Sequence, residues 1–146
     1  MKVTEIRVKL LPGQKDKLRA FASITVDSSL VVRDIKIIEG SKGLFIAMPS
    51  RKMCDRCPQC AAKNSVRARY CNDCGNKLAE NRSALDERGR PRLYADIAHP
   101  INQESREAVQ NSVLAAYHEE FQRSKQTGYK AQKFDDMDYE LSADLG

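Results

Sequence analysis

Two Cys-x-x-Cys pairs, Cys57-Pro-Gln-Cys60 and Cys71-Asn-Asp-Cys74, constrain this chain more than any other feature. Ten residues separate the pairs, and each pair can turn two thiolates toward one point. Four thiolates at this spacing are typical of a tetrahedral Zn(II) site. Because four sulfur ligands leave no position open for water, the pattern predicts a structural rather than a catalytic metal.

The residues around the cysteines are similar to the zinc ribbon family. Its pattern reads Cys-Pro-x-Cys, a spacer, an aromatic residue, Cys-x-x-Cys-Gly and a nearby leucine. Here Tyr70 supplies the aromatic residue, Gly75 follows the second pair and Leu78 supplies the leucine. A ribbon this small has almost no core. Metal binding, worth on the order of 10 kcal/mol in comparable peptides, would therefore provide most of its folding free energy.

Two alternatives for the cysteines stay open at this point. Cys54 forms a further Cys-x-x-Cys with Cys57, so a ligand set that includes Cys54 is conceivable. The pair that flanks Pro58 matches the ribbon pattern better, which leaves Cys54 as a spare thiol. The other alternative is redox chemistry or disulfide formation in place of metal binding.

Length and composition indicate one ordinary domain of 146 residues with room for a small insertion. No apolar run reaches the length of a membrane span, so we expect no membrane partner. Charged residues at Glu5, Arg7 and Lys9 interrupt any signal-peptide core. Five cysteines in ribbon spacing without a secretory signal favour a reducing compartment, and we expect a cytoplasmic protein.

The net charge of +5 is unevenly distributed along the chain. Residues 134–146 contain five acidic residues and no Lys or Arg, so residues 1–133 carry +10. A basic body suggests a polyanionic partner. The acidic tail, counted from residue 127 to 146, could compete with nucleic acid for that basic surface.

Apolar and polar residues alternate with period two over residues 5–10, 18–26, 30–38 and 44–48, which predicts four strands. Short connections between them imply an antiparallel meander. The alternation stops in the cysteine-containing segment and resumes over residues 94–98. That segment therefore looks inserted into the meander.

A long amphipathic helix is predicted over residues 103–123. Asn102 is a good N-cap, and Val109, Val113 and Tyr117 recur on one face. The predicted fold class is α+β: a small antiparallel β-sheet with a C-terminal amphipathic helix, plus an inserted four-cysteine zinc ribbon. The expected domains are a discontinuous sheet and helix domain (1–52 and 93–126), a ribbon with a basic arm (53–92) and the acidic tail.

Outside the ribbon the chain resembles the SpoVG family, the stage V sporulation protein G or septation regulators. The matching blocks are residues 1–7, 19–27, 31–40, 43–50, 96–102 and 113–117. The distinctive ones read Gly43-Leu44-Phe45-Ile46-Ala47-Met48-Pro49-Ser50 and Ala98-His99-Pro100-Ile101. The resemblance implies a small dimeric bacterial regulator that binds DNA and RNA and influences gene expression and septation. Family members usually join these two blocks by a short loop, where this chain has about forty residues.

Basic residues in three groups are the candidate nucleic-acid ligands. The first group follows the Met48-Pro49 turn, the second lies on the ribbon spacer beside Tyr70, and the third lies on a flexible arm that returns to the sheet. The residues are Arg51 and Lys52; Arg67 and Arg69; and Arg82, Arg88, Arg90 and Arg92. Arginine can donate two hydrogen bonds to one phosphate, so we expect phosphate-dominated, salt-sensitive binding to DNA or RNA.

Two other classes of function compete with nucleic-acid binding. An enzyme is disfavoured, because His99 and His118 are the only histidines and no nucleophile and base are evidently paired. A protein-interaction adaptor, in which the zinc ribbon docks a partner, remains the alternative. The open edges of a short meander also invite pairing between two copies, which agrees with a homodimer.

Overall fold

The computed structural model describes residues 1–11 and 17–132, so most of the acidic tail lies outside the described residues. The chain divides into two compact units. The first comprises Met1–Pro49 and Ala98–Gly146, and the second comprises Ser50–Ile97.

Four antiparallel strands form the sheet of the first unit, in the order β1-β2-β3-β4. They are β1 (Val3–Leu10), β2 (Leu18–Val26), β3 (Leu30–Gly40) and β4 (Gly43–Ala47). Each strand pairs with its neighbour in sequence, which confirms the predicted meander. Short turns join β2 to β3 and β3 to β4, and they keep consecutive strands adjacent.

Among its described residues the first unit has one helix, α1 (Gln103–Ser124), and the sequence predicted it to within one residue. Asn102 caps it as expected, because its side-chain oxygen accepts a hydrogen bond from the Ser105 N–H at 2.7 Å. Val109, Val113 and Tyr117 are buried in a core with sheet residues such as Ile35 and Ile37. The period of about 3.6 residues places the three apolar side chains on one helix face, and that face packs on the sheet.

The strand predicted over residues 94–98 does not join the four-stranded sheet. It forms β8 (Tyr94–Asp96), which pairs with β5 (Ser50–Lys52) in a separate two-stranded ladder. This ladder brings the two ends of the second unit together. The prediction of a continued meander was wrong, because periodicity identifies a strand but does not identify its partner.

A second small ladder in the same unit joins β6 (Cys54–Arg56) to β7 (Lys63–Ser65). The buried apolar residues of this unit are Cys57, Cys71 and Leu78, with Ala62 and Ala68 packed against them. So small a cluster contributes little hydrophobic stabilisation. The order of the second unit must depend on other interactions, above all those around the cysteines.

Across the part of the chain that is described, no helix combines the length and the apolar character that crossing a bilayer requires.

Candidate metal centre and basic groove

Four cysteine sulfurs converge in the second unit. The Sγ atoms of Cys57, Cys60, Cys71 and Cys74 all lie within 4.8 Å of one another. The Sγ atoms of Cys57 and Cys74 are 3.8 Å apart, and those of Cys60 and Cys71 are 3.5 Å apart. A tetrahedral site with metal–sulfur bonds of about 2.3 Å places its sulfurs about 3.8 Å apart. The four side chains could therefore hold one metal ion.

Both cysteine pairs are shaped by the same backbone hydrogen bonds. The Cys57 N–H donates to the Ala62 carbonyl at 2.8 Å, and the Ala61 N–H donates to the Cys57 carbonyl at 2.9 Å. The Cys71 N–H donates to the Asn76 carbonyl at 2.8 Å, and the Gly75 N–H donates to the Cys71 carbonyl at 3.1 Å. Each Cys-x-x-Cys segment is thus a tight turn that presents both sulfurs on one side. We call these the first and second cysteine turns.

The first cysteine of each turn is the more acidic. The backbone N–H of Cys60 and, after it, that of Gln59 donate to Cys57 and lower its pKa. The Cys74 N–H, the Asn64 side chain and the Asp73 N–H lower the pKa of Cys71 to about 6. These donors favour the thiolate, which is the form that binds a metal.

The second cysteine of each turn holds its proton more firmly. The Ala62 N–H favours the Cys60 thiolate, but desolvation and contacts with the other sulfurs outweigh it and raise the pKa to about 12. At Cys74 the Asn76 N–H acts in the same direction and is likewise outweighed, so that this pKa is also raised. Four adjacent thiolates would repel one another, so without a cation the second cysteine of each turn keeps its proton. A metal ion can replace these protons, because its positive charge offsets the repulsion between the thiolates.

Asn64 connects the two cysteine turns and was not found from the sequence. This buried side chain donates from Nδ2 to the Ala62 carbonyl at 3.2 Å and to Cys71 Sγ at 3.5 Å. Its Oδ1 accepts from the Asn72 N–H at 2.8 Å. Side chains that orient metal ligands commonly act in this way. Position 64 has no spacing signature, so only the fold reveals its role.

Cys54 is not part of the sulfur cluster. It lies in β6, where its Sγ donates to the Lys52 carbonyl at 3.4 Å. None of the five cysteines forms a disulfide. The geometry therefore favours the ligand set built on the pair that flanks Pro58.

Arg82 holds the second unit together. Its Nε and Nη2 donate to the two oxygens of Asp55, at 2.7 and 3.4 Å. The remaining N–H groups of the guanidinium donate to the carbonyls of Ala68, Ala79 and Ser65. A guanidinium has five N–H donors, and here five hydrogen bonds engage them. The sequence grouped Arg82 with the nucleic-acid ligands, but the fold leaves it no donor for phosphate.

Arg67 and Arg69 line an open groove in the second unit, together with Tyr70 and Lys77. We call this the basic groove; its volume is about 670 Å3, and it is formed by residues 66–70, 77–83, Pro91 and Leu93. Arg67, Arg69 and Lys77 are exposed. None of the three forms an ion pair within the described ranges. Lys77 was missed in the sequence because its position opposite Tyr70 depends on a bridge between the two segments.

The basic arm is an ordered hairpin rather than the flexible segment expected from its composition. The Asp86 N–H donates to the Arg90 carbonyl at 2.8 Å, and the Arg92 N–H donates to the Ala84 carbonyl at 2.7 Å. Asp86 Oδ1 also accepts from the N–H groups of Arg88 and Arg90. An aspartate that caps its own turn fixes the loop conformation. Arg88, Arg90 and Arg92 remain exposed on it.

Arg51 and Lys52, the first group of predicted nucleic-acid ligands, differ in their exposure. Arg51 is exposed on β5, whereas Lys52 is half-buried on the same strand. Both belong to the second unit, as do all the other candidate nucleic-acid ligands. All the basic residues that the sequence predicted as nucleic-acid ligands thus lie in the second unit.

An antiparallel sheet covered by one helix, together with a unit that brings four cysteines into contact, defines an α+β protein with a candidate metal centre. The SpoVG family model matches residues 1–119. The chain therefore belongs to the SpoVG family, as its sequence blocks indicated.

Relatives of this chain are named septation protein SpoVG. One from Bdellovibrio bacteriovorus is 36% identical over 141 residues, which cover 95% of each chain. One from Clostridioides difficile is 39% identical over 119 residues, covering 82% of this chain and 89% of the relative. One from Lachnospira eligens is 39% identical over 117 residues, covering 80% and 91%.

Proposed function

We propose that this chain is a cytoplasmic, non-catalytic regulator that binds nucleic acid through its second unit, with a structural Zn(II) ion ordering that unit. The zinc ribbon and basic arm, residues 53–92, would be an insertion in a SpoVG-like domain made of residues 1–52 and 93–126. Membership of a family whose relatives are named for septation supports a regulatory role.

The choice of zinc follows from the donor set. Four thiolates in roughly tetrahedral positions suit Zn(II). The d-electrons of this ion impose no other coordination geometry, and the ion has no redox chemistry. The hard cations Mg2+ and Ca2+ prefer oxygen ligands. The small apolar cluster of the second unit also fits a structural metal, because metal binding then supplies the missing stability.

One observation carries the proposal of nucleic-acid binding: among the described residues, most exposed cations of the second unit form no ion pair, whereas Arg90 pairs with Asp86 at 3.4 Å. The unit has 11 Lys and Arg against 6 Asp and Glu, a net charge of +5 within 48 residues. Arg67, Arg69, Lys77, Arg88 and Arg92 form no ion pair within the described ranges. Unpaired arginines on an ordered surface are suited to phosphate oxygens.

The test is the salt dependence of binding. Binding of the zinc-loaded protein to DNA and to RNA would be measured over a range of salt concentrations. We expect the triple variant Arg88→Ala, Arg90→Ala and Arg92→Ala to reduce the slope of log K against log salt by about 2 to 3. The matched control removes three exposed cations of the first unit: Lys42→Ala, Arg106→Ala and Lys130→Ala. Equal slopes for both triple variants, or no salt-dependent binding, would contradict the proposal.

A protein-interaction adaptor is the second candidate, and exposed apolar side chains favour it. Leu85, Tyr94 and Ile97 of the second unit are 64, 51 and 67% exposed. Exposed apolar residues near a charged surface can contribute to a protein interface. An adaptor would retain a partner protein after nuclease treatment and would bind nucleic acid no better than other proteins of similar charge.

We further propose a homodimer formed by the first unit. Its sheet ends in two edge strands, β1 and β4. The Gln132 side chain accepts from the Val8 N–H at 2.6 Å and so covers one donor of the β1 edge. Within the described residues β4 has no comparable cover, and an open edge favours pairing between copies. A monomer in sedimentation at micromolar concentration would contradict this.

A further inference from the structure

The basic groove has one aromatic wall. Tyr70 and Lys77 face each other across an antiparallel bridge, and the Leu78 N–H donates to the Arg69 carbonyl at 2.8 Å. Tyr70 is 59% exposed, and it forms no aromatic or cation contact within the described residues. An aromatic ring held beside the second cysteine turn is therefore available to a ligand.

The charge of the groove selects an anion. Arg67, Arg69 and Lys77 are exposed cations on its lining, and Glu80 is the one acidic residue among the lining residues. Arg82 also lines the groove, but its donors are engaged by Asp55 and three carbonyls. Three available cations against one carboxylate would attract a phosphate-bearing ligand.

We infer that the groove binds an unpaired nucleotide of single-stranded nucleic acid, with the base stacked on Tyr70 and the adjacent phosphates on Arg67, Arg69 and Lys77. The inference rests on the proposed nucleic-acid binding and specifies its ligand. The volume of about 670 Å3 lies in the range of small-molecule sites, which is about 300–1,000 Å3. In a duplex each base face is covered by its neighbours, so Tyr70 can stack only on an unpaired base.

The experiment compares one strand with its duplex. Binding of an oligothymidine strand of about 12 nucleotides and of a duplex of the same length would be measured with zinc-loaded full-length protein. We expect Tyr70→Leu to weaken single-strand binding about tenfold and to change duplex binding by less than about twofold. Tyr70→Phe is the matched control, because it keeps the aromatic face and should stay within about threefold of the unsubstituted protein.

Two results would overturn the inference while leaving nucleic-acid binding intact: an unchanged single-strand affinity for Tyr70→Leu, or equal losses for strand and duplex. An oligoglutamate peptide of equal length would be compared with unlabelled strand as a competitor for the bound strand. If both competed equally, the groove would be a site for acidic peptides, and the inference would fail. If the unsubstituted protein bound neither strand nor duplex, the proposed function would fail with it.

A second measurement avoids any effect of the substitution on folding. Unsubstituted protein would be photocrosslinked to an oligothymidine strand that contains 4-thiothymidine, and the crosslinked peptides would be identified by mass spectrometry. We expect the crosslink on the peptide that contains Tyr70. Crosslinks that occur only on other peptides would overturn the inference.

Discussion

Ala61 and Gly75 occupy the same position in the two cysteine turns, four residues after the first cysteine, and both have positive φ angles, of 65° and 78°. The hydrogen bonds around them are the same in both turns. Only one of the two positions has the residue that suits this conformation. A left-handed conformation costs an L-residue about 1–2 kcal/mol, and glycine avoids that cost.

Ala61→Gly is therefore expected to strengthen zinc binding and Gly75→Ala to weaken it. A Cβ at position 75 would meet no atom within 4 Å, so the effect of Gly75→Ala is backbone strain alone. We expect a change of about 1 kcal/mol in each direction, or about fivefold in zinc affinity. Competition with a chromophoric chelator measures it.

Gly89→Ala is the control for this pair. Gly89 has the same φ of 78° and equal space for a Cβ, but it lies in the hairpin of the basic arm and not in a cysteine turn. Zinc affinity should therefore stay within about twofold. An equal loss of affinity in Gly75→Ala and Gly89→Ala would show that general destabilisation, and not the turn, determines metal binding.

Removal of the metal is expected to unfold the second unit and to spare the first. The second unit has a small apolar cluster, whereas Ile35, Ile37 and Val113 of the first are fully buried. After chelation, hydrogen exchange should become fast at the amides of Cys71 and Leu78 and stay slow at those of the sheet core. Protected amides at Cys71 and Leu78 in verified metal-free protein would contradict a structural metal.

Asn64→Asp should weaken metal binding about 10- to 100-fold. The substitution removes the Nδ2 donor to Cys71 Sγ and places a carboxylate next to the thiolates. Asn72→Asp is the matched control: it makes the same change next to Cys71, but at an exposed side chain. Chelator competition at constant pH distinguishes the two variants. Equal losses would mean that charge near the cluster, and not the hydrogen bonds of Asn64, matters.

Arg82→Gln should lower the stability of the second unit, whereas Arg88→Gln should lower the salt dependence of nucleic-acid binding. Arg82→Gln leaves Asp55 and three carbonyls without their donor, and we expect it to destabilise the second unit by about 2 kcal/mol. Arg88→Gln should alter stability by less than about 0.5 kcal/mol and reduce the salt slope of nucleic-acid binding by about 1. A stable Arg82→Gln variant with weakened nucleic-acid binding would reverse these assignments.

The sequence predicted those parts of the fold whose signal is local. Alternation identified the four strands, a period of 3.6 identified α1, and Asn102 marked its start. The spacing of the cysteines identified all four sulfurs that converge, because each turn lies within a few residues. The pairing of β8 with β5 was missed, since a strand of three residues has no signal that identifies its partner.

By itself, then, the sequence determined the class of the fold, its family and the four cysteines of the candidate metal centre, since short-range spacing and periodicity encode them. The tertiary structure alone decided the roles of the polar side chains. Arg82 reaches Asp55 across 27 residues and Ser65 across 17, and Asn64 reaches Asn72 across 8. Whether an arginine serves the fold or stays free for phosphate depends on which carbonyls and carboxylates the folded chain brings to its donors, and their distance along the sequence does not reveal this.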